Sequence, residues 1–160
     1  MTNKKFYLAW LNELTSLGGM VFYLINIVIL LAKGLYIHVF WLIIGLIMIL
    51  GSFYLIRFFY FKERPVKKKK GKSLLTRLDA SSFPSVHAAR ITFLCITYIY
   101  LINEIYFRIL FIFIWVLVLL SRYLLKKHYL IDVVVGSLLS VIYFYFISEG
   151  TQYVLKLLGL

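Results

Sequence analysis

The residues with the most chemistry in them lie between 121 and 132, in the run Ser-Arg-Tyr-Leu-Leu-Lys-Lys-His-Tyr-Leu-Ile-Asp. His128 and Asp132 stand four positions apart, so a helix beginning near His128 brings imidazole and carboxylate onto one face, within hydrogen-bonding reach. A carboxylate beside an imidazole keeps one ring nitrogen protonated and leaves the other free as base or nucleophile. Arg122 adds a fixed cationic fork suited to phosphate. Two further stretches have the same character. Arg57 is followed, after six residues, by Arg64 and Pro65, and Pro84, Ser85, Val86 and His87 run consecutively.

A phosphate ester resists attack because its oxygens repel nucleophiles. A catalyst must neutralise that charge and hold the attacking and leaving atoms in line. Arg57, Arg64 and Arg122 are suited to surround one phosphoryl group, and N–H groups at a helix start after Pro84 would add an anion site. No metal is needed in such a scheme.

The three stretches together resemble the signature of the type 2 phosphatidic acid phosphatase (PAP2) family, which also includes vanadium haloperoxidases and bacterial acid phosphatases. That signature reads Lys or Arg, six residues, Arg-Pro; then Pro-Ser-Gly-His; then Ser-Arg, five residues, His, three residues, Asp. Order and internal spacings agree over residues 57 to 132. Arg57 stands where Lys is commoner, which keeps the charge. Val86 stands where Gly is usual, and a β-branched residue limits how the backbone there approaches an anion.

The resemblance implies a role for each residue. His128 attacks phosphorus and becomes a phosphohistidine, which Asp132 orients and stabilises. His87 protonates the leaving oxygen and then helps water cleave the intermediate. Ser85, Arg57, Arg64 and Arg122 bind the phosphate, with no metal or cofactor. The implied substrate is a lipid phosphate or pyrophosphate whose tail stays in the bilayer. Among compact bacterial members the resemblance points first to a lipid A 1-phosphatase, with undecaprenyl pyrophosphate and phosphatidylglycerophosphate as further substrates.

These residues must be positioned by elements that live in lipid. Of 160 residues, 63% are hydrophobic, and the mean hydropathy is +0.94, far too apolar for a soluble domain. The expectation is one all-α integral-membrane domain over 1–160, a polytopic helical bundle. Five spans are predicted: Leu17 to Ala32, Leu35 to Phe61, Val86 to Ile102, Ile105 to Leu120 and Tyr129 to Ile147. Before them, Phe6, Tyr7, Trp10, Leu11 and Leu14 at helical spacing predict an amphipathic helix in the membrane interface. Asn12 and Glu13 interrupt the apolar core that a cleaved signal peptide would need. Alternating crossings from these spans bring all three motifs to one membrane face.

Each residue also has a plainer reading. The arginines could snorkel to headgroups, His128 and Asp132 could be a structural pair, and His87 could merely begin a helix. Arg90, one turn after His87, either joins the phosphate site or snorkels. Lys62 and Glu63 read as loop charges, His38 as a polar anchor at the opposite face, and Cys95 as a small buried side chain. Lys67 to Lys70 with Gly71 and Lys72 read as a solvated loop or as an attractor of anionic headgroups. Gly71-Lys72-Ser73 is no P-loop, because Val66 occupies the required first glycine position.

The net charge of +12 adjoins hydrophobic spans, which favours acidic lipid over nucleic acid as partner. Nothing in the sequence assigns an oligomeric state. Fifteen of the eighteen Lys and Arg fall on the motif side, against Lys33, Arg108 and Lys156. The positive-inside rule then puts the site in the cytoplasm, whereas the resemblance to bacterial lipid phosphatases of the inner membrane puts it on the periplasmic side. Two rivals share the residues: a phosphotransferase that passes the phosphoryl group to a second lipid, and a non-catalytic protein that binds anionic lipid.

Overall fold

The computed structural model describes residues 2–66 and 73–159, and among these every regular element is a helix. They are α1 (Thr2–Ser16), α2 (Met20–Ala32), α3 (Tyr36–Phe59), α4 (Leu74–Ala80), α5 (Val86–Leu101), α6 (Ile105–Leu124) and α7 (Leu130–Leu157). The basic run from Lys67 to Lys72 lies outside the described residues.

Three helices, α3, α6 and α7, are long and apolar enough to cross a bilayer. At about 1.5 Å per residue their 24, 20 and 28 residues match or exceed a hydrocarbon core of roughly 30 Å. The expected first span differs in form. α2 has only 13 residues, and it reaches spanning length only together with α1, from which it is bent by 42°. The break falls at Gly18 and Gly19, so the interfacial helix and the first span are two arms of one bent pair.

α5 is also short, at 16 residues. It is the central helix, packed on α3, α6 and α7, so protein rather than lipid surrounds it. An unbroken run from Ala88 to Cys95 is buried. α7 continues past the predicted end at Ile147 as far as Leu157.

Apolar side chains gain little by leaving lipid for a protein interior, so close packing and interhelical hydrogen bonds must hold such a bundle. Gly45 lets the Phe93 ring sit against α3, since a Cβ there would come within 2.3 Å of it. Ser140 donates to the Ala89 carbonyl at 2.9 Å, and Trp115 Nε1 donates to Thr92 Oγ1 at 2.8 Å. Outward faces are apolar, as at Val28, Ile47, Phe113 and Phe146, which is what a lipid-facing surface requires. At the end away from the motifs, Trp41 packs edge-on to Tyr100 and Phe144, and His38 lies against Trp41.

The short helix α4 was not expected between the basic run and Pro84. Its signals are local: Ser73 caps it by accepting from Thr76 N–H, and Leu74, Leu75 and Leu78 follow at helical spacing.

Candidate active site

Where α3 ends and α5 begins, a cavity of about 220 Å³ opens, lined by Arg57, Arg64, Arg90, Arg122, His87 and His128. Tyr54, Asp79, Val86, Leu50 and Met20 complete its wall. Residues that are distant in the chain are therefore brought to one place. All four arginines have a buried Nε without a hydrogen-bond partner among the described residues. Arg57, Arg90 and Arg122 are 2%, 6% and 3% exposed, so none of the three snorkels.

The guanidinium ends are anchored by backbone and side-chain acceptors. Arg57, in the last turn of α3, donates from Nη2 to the Pro84 carbonyl at 2.8 Å and from Nη1 to that of Leu78 at 3.5 Å. Arg64 donates to the carbonyls of Asp79 at 2.8 Å and Ser81 at 3.4 Å. Arg122 donates to Thr15 Oγ1 at 2.9 Å, which ties the end of α1 to the end of α6. Gly18 continues that contact, because a Cβ there would lie 3.0 Å from the His87 carbonyl.

The loop from Ser81 to Pro84 joins these parts. Ser82 N–H donates to the Lys62 carbonyl at 2.8 Å, and Ser82 Oγ donates to that of Glu63 at 3.1 Å. Its own carbonyl accepts from His128 Nδ1 at 2.7 Å. A carbonyl can only accept, so Nδ1 carries the proton and Nε2 keeps its lone pair.

This corrects the expected pairing of His128 with Asp132. The distance from His128 Nδ1 to Asp132 Oδ2 is 3.9 Å, too long for a hydrogen bond. Asp132 sits in the first turn of α7, where Oδ2 accepts from Tyr129 N–H at 2.9 Å and Oδ1 meets Lys62 Nζ at 2.7 Å. The i,i+4 spacing places the carboxylate near the ring, but the cap and the lysine take its oxygens. Lys62 is thus a structural partner of the motif and not a loose loop charge. Its ammonium also lies 4.6 Å from the centre of the Tyr129 ring.

Ser85 departs from expectation in a similar way. It is fully buried and does not line the cavity. Its Oγ caps α5 by accepting from Ala88 N–H at 3.4 Å, and its N–H donates to the Asp132 carbonyl at 2.9 Å. Gly136 makes this contact between α5 and α7 possible, because a Cβ at 136 would fall 2.6 Å from the Ser85 carbonyl. Sequence reasoning missed Gly136 and Lys62, whose partners lie far away in the chain. It had left Arg90 open, although the step of three from His87 to Arg90 is a readable sign of a shared helix face.

His128 itself lies on the turn between α6 and α7. That turn passes through Lys126, whose φ of 52° is left-handed, and the N–H groups of Lys126 and Lys127 close it on the carbonyls of Tyr123 and Arg122. Burial first, then Arg122 and Arg64, push the His128 imidazole down to about 2, against the opposing bond to Ser82. The ring is therefore neutral at pH 7. The whole arrangement offers a neutral imidazole and a second imidazole within a ring of fixed cations, which suits capture of a multiply charged anion and attack on its centre.

Residues 38–156 match the protein-family model described as PAP2 superfamily. No curated protein and no solved structure matches the chain.

Proposed function

Since this chain belongs to the PAP2 superfamily, whose members include phosphatases, we propose that it is a metal-independent lipid phosphatase working through a phosphohistidine. The observation that carries the proposal is the cavity where four guanidinium groups, each with an unpartnered Nε, meet two histidines. One phosphoryl group there would accept from Arg57, Arg64 and Arg122 while His128 Nε2 attacks phosphorus. His87 would give a proton to the leaving oxygen and then take one from the water that cleaves the phosphorus to nitrogen bond. In this reading Asp132 and Ser85 act from behind the cavity wall, by holding α7 and α5 in place around it.

The lipid substrate follows from the surroundings. The cavity lies at the ends of membrane-length helices, so a headgroup reaches it while the tail stays in lipid. Lipid A 1-phosphate is the substrate we place first, followed by undecaprenyl pyrophosphate and phosphatidylglycerophosphate. Purified protein offered each lipid in detergent is expected to release inorganic phosphate in EDTA and to be inhibited by vanadate, which adopts the five-coordinate geometry of phosphorus under attack. A strict requirement for Mg²⁺ would count against this mechanism.

We place the cavity on the extracytoplasmic side of the inner membrane, following the family resemblance over the count of positive charges. Cys95 is buried, so a thiol introduced by Thr76→Cys on the exposed face of α4 provides a clean reporter. It is expected to react with a membrane-impermeant maleimide in sealed right-side-out vesicles. Labelling only after permeabilisation would reverse the orientation.

A further inference from the structure

Arg90 is more than one phosphoryl group requires. Three guanidinium groups, Arg57, Arg64 and Arg122, already match the three non-bridging oxygens of a single phosphate. The fourth is 6% exposed, lines the same cavity as both histidines, and keeps its Nε without a partner among the described residues. A buried guanidinium cannot shed its charge, so it requires an anion close by. Asp79 is the one carboxylate in the cavity wall, against four arginines.

Position distinguishes Arg90 from the others. α3 finishes at the cavity and α5 starts there, so stepping back along α3 or forward along α5 leads in the same direction, into the bilayer. Arg90 is three residues past His87, and Tyr54 is three before Arg57. At about 1.5 Å per residue, the backbone of this pair lies roughly 4.5 Å deeper than that of His87 and Arg57. Leu50, one turn further back on α3, makes that end of the wall apolar. Arg90 therefore stands where the leaving group of a membrane lipid would be.

We propose that Arg90 determines specificity by holding the second phosphoryl group of a lipid diphosphate, so that on one and the same lipid tail this chain prefers a diphosphate to a monophosphate headgroup. The inference rests on the phosphatase reading given above. His128 Nε2 forms a bond to the terminal phosphorus as that phosphorus parts from the bridging oxygen. The electron pair stays on the bridging oxygen, which takes the proton that His87 carries and departs as the lipid monophosphate beside Arg90. Water then adds to phosphorus and yields its proton to His87. The nitrogen to phosphorus bond breaks, its electrons return to His128, and inorganic phosphate is released. An alkoxide leaving group depends on a proton, whereas a phosphate leaving group depends on a cation, and the deeper guanidinium supplies one.

The test compares a polyprenyl diphosphate with the polyprenyl monophosphate of the same chain length, both in detergent micelles. Arg90→Gln is expected to lower kcat/KM on the diphosphate by about tenfold or more, with less than about threefold change on the monophosphate. Arg90→Lys should recover part of the diphosphate rate. Equal losses on both lipids, or no loss on either, would overturn the proposal. Inorganic pyrophosphate should also inhibit the unmodified protein more strongly than orthophosphate does, a readout that needs no variant, and equal inhibition would count against Arg90. Release of phosphate from neither lipid by the unmodified protein would instead remove the phosphatase reading itself.

Discussion

Replacing His128 with alanine is expected to abolish phosphate release, with a loss on the order of 10⁴-fold or more, because the group proposed to form the covalent bond would be gone. The structure makes this ring an available nucleophile in three ways. The Ser82 carbonyl holds the proton on Nδ1. Burial and the neighbouring arginines keep the imidazole neutral. The turn through Lys126 returns the chain so that His128 lines the cavity. None of the arginine anchors passes through the His128 side chain, so binding of the lipid should survive the substitution. Phosphate release at the unmodified rate from His128→Ala protein would eliminate the phosphohistidine, whereas loss of release with binding retained would support it and exclude a protein that only binds lipid.

Lys62→Met is expected to destabilise the folded chain by about 3 kcal/mol, the cost of leaving a buried carboxylate without its cation. Asp132 is wholly buried, and Lys62 Nζ lies 2.7 Å from its Oδ1. The lysine side chain is 25% exposed, which argues for the lower end of the usual range for broken buried pairs. The double variant Lys62→Met with Asp132→Asn removes both charges and leaves an amide oxygen to accept from Tyr129 N–H. It should recover at least half of the loss, measured by denaturant unfolding in detergent. Equal instability of the single and double variants would show that the pair is not coupled. Activity should fall along with stability in Lys62→Met, because Asp132 also carries the backbone contact to Ser85 that joins α7 to α5.

The pairing of Lys62 with Asp132 marks where sequence reasoning stops. Helix spacing correctly placed the Asp132 carboxylate near the His128 ring, since that distance depends on residues four apart. Which acceptor the ring would choose was a different matter. The Ser82 carbonyl is 46 residues away in the chain and Lys62 is 70 residues from Asp132, and no local pattern chooses among such partners. Ser85 shows the same limit, because its hydroxyl could serve a phosphate or the α5 terminus and only the packing of α5 on α7 decides. The bent pair formed by α1 and α2 was partly legible: the polar residues before Leu17 indicated a change of character, but not that Thr15 would reach Arg122.

By itself the sequence determined the helical membrane architecture, because hydropathy sets which segments enter lipid and the backbone must then satisfy its own hydrogen bonds. It also singled out the side chains to which chemistry is assigned in the proposal, because motif spacings within one turn or one loop are local quantities. Tertiary structure alone decided that Arg90 joins the cavity, that Ser82 rather than Asp132 holds His128, and that Lys62 neutralises Asp132. Each of these depends on how close two distant segments come, and that is set by packing at positions such as Gly45 and Gly136, where the absence of a side chain lets neighbouring helices meet.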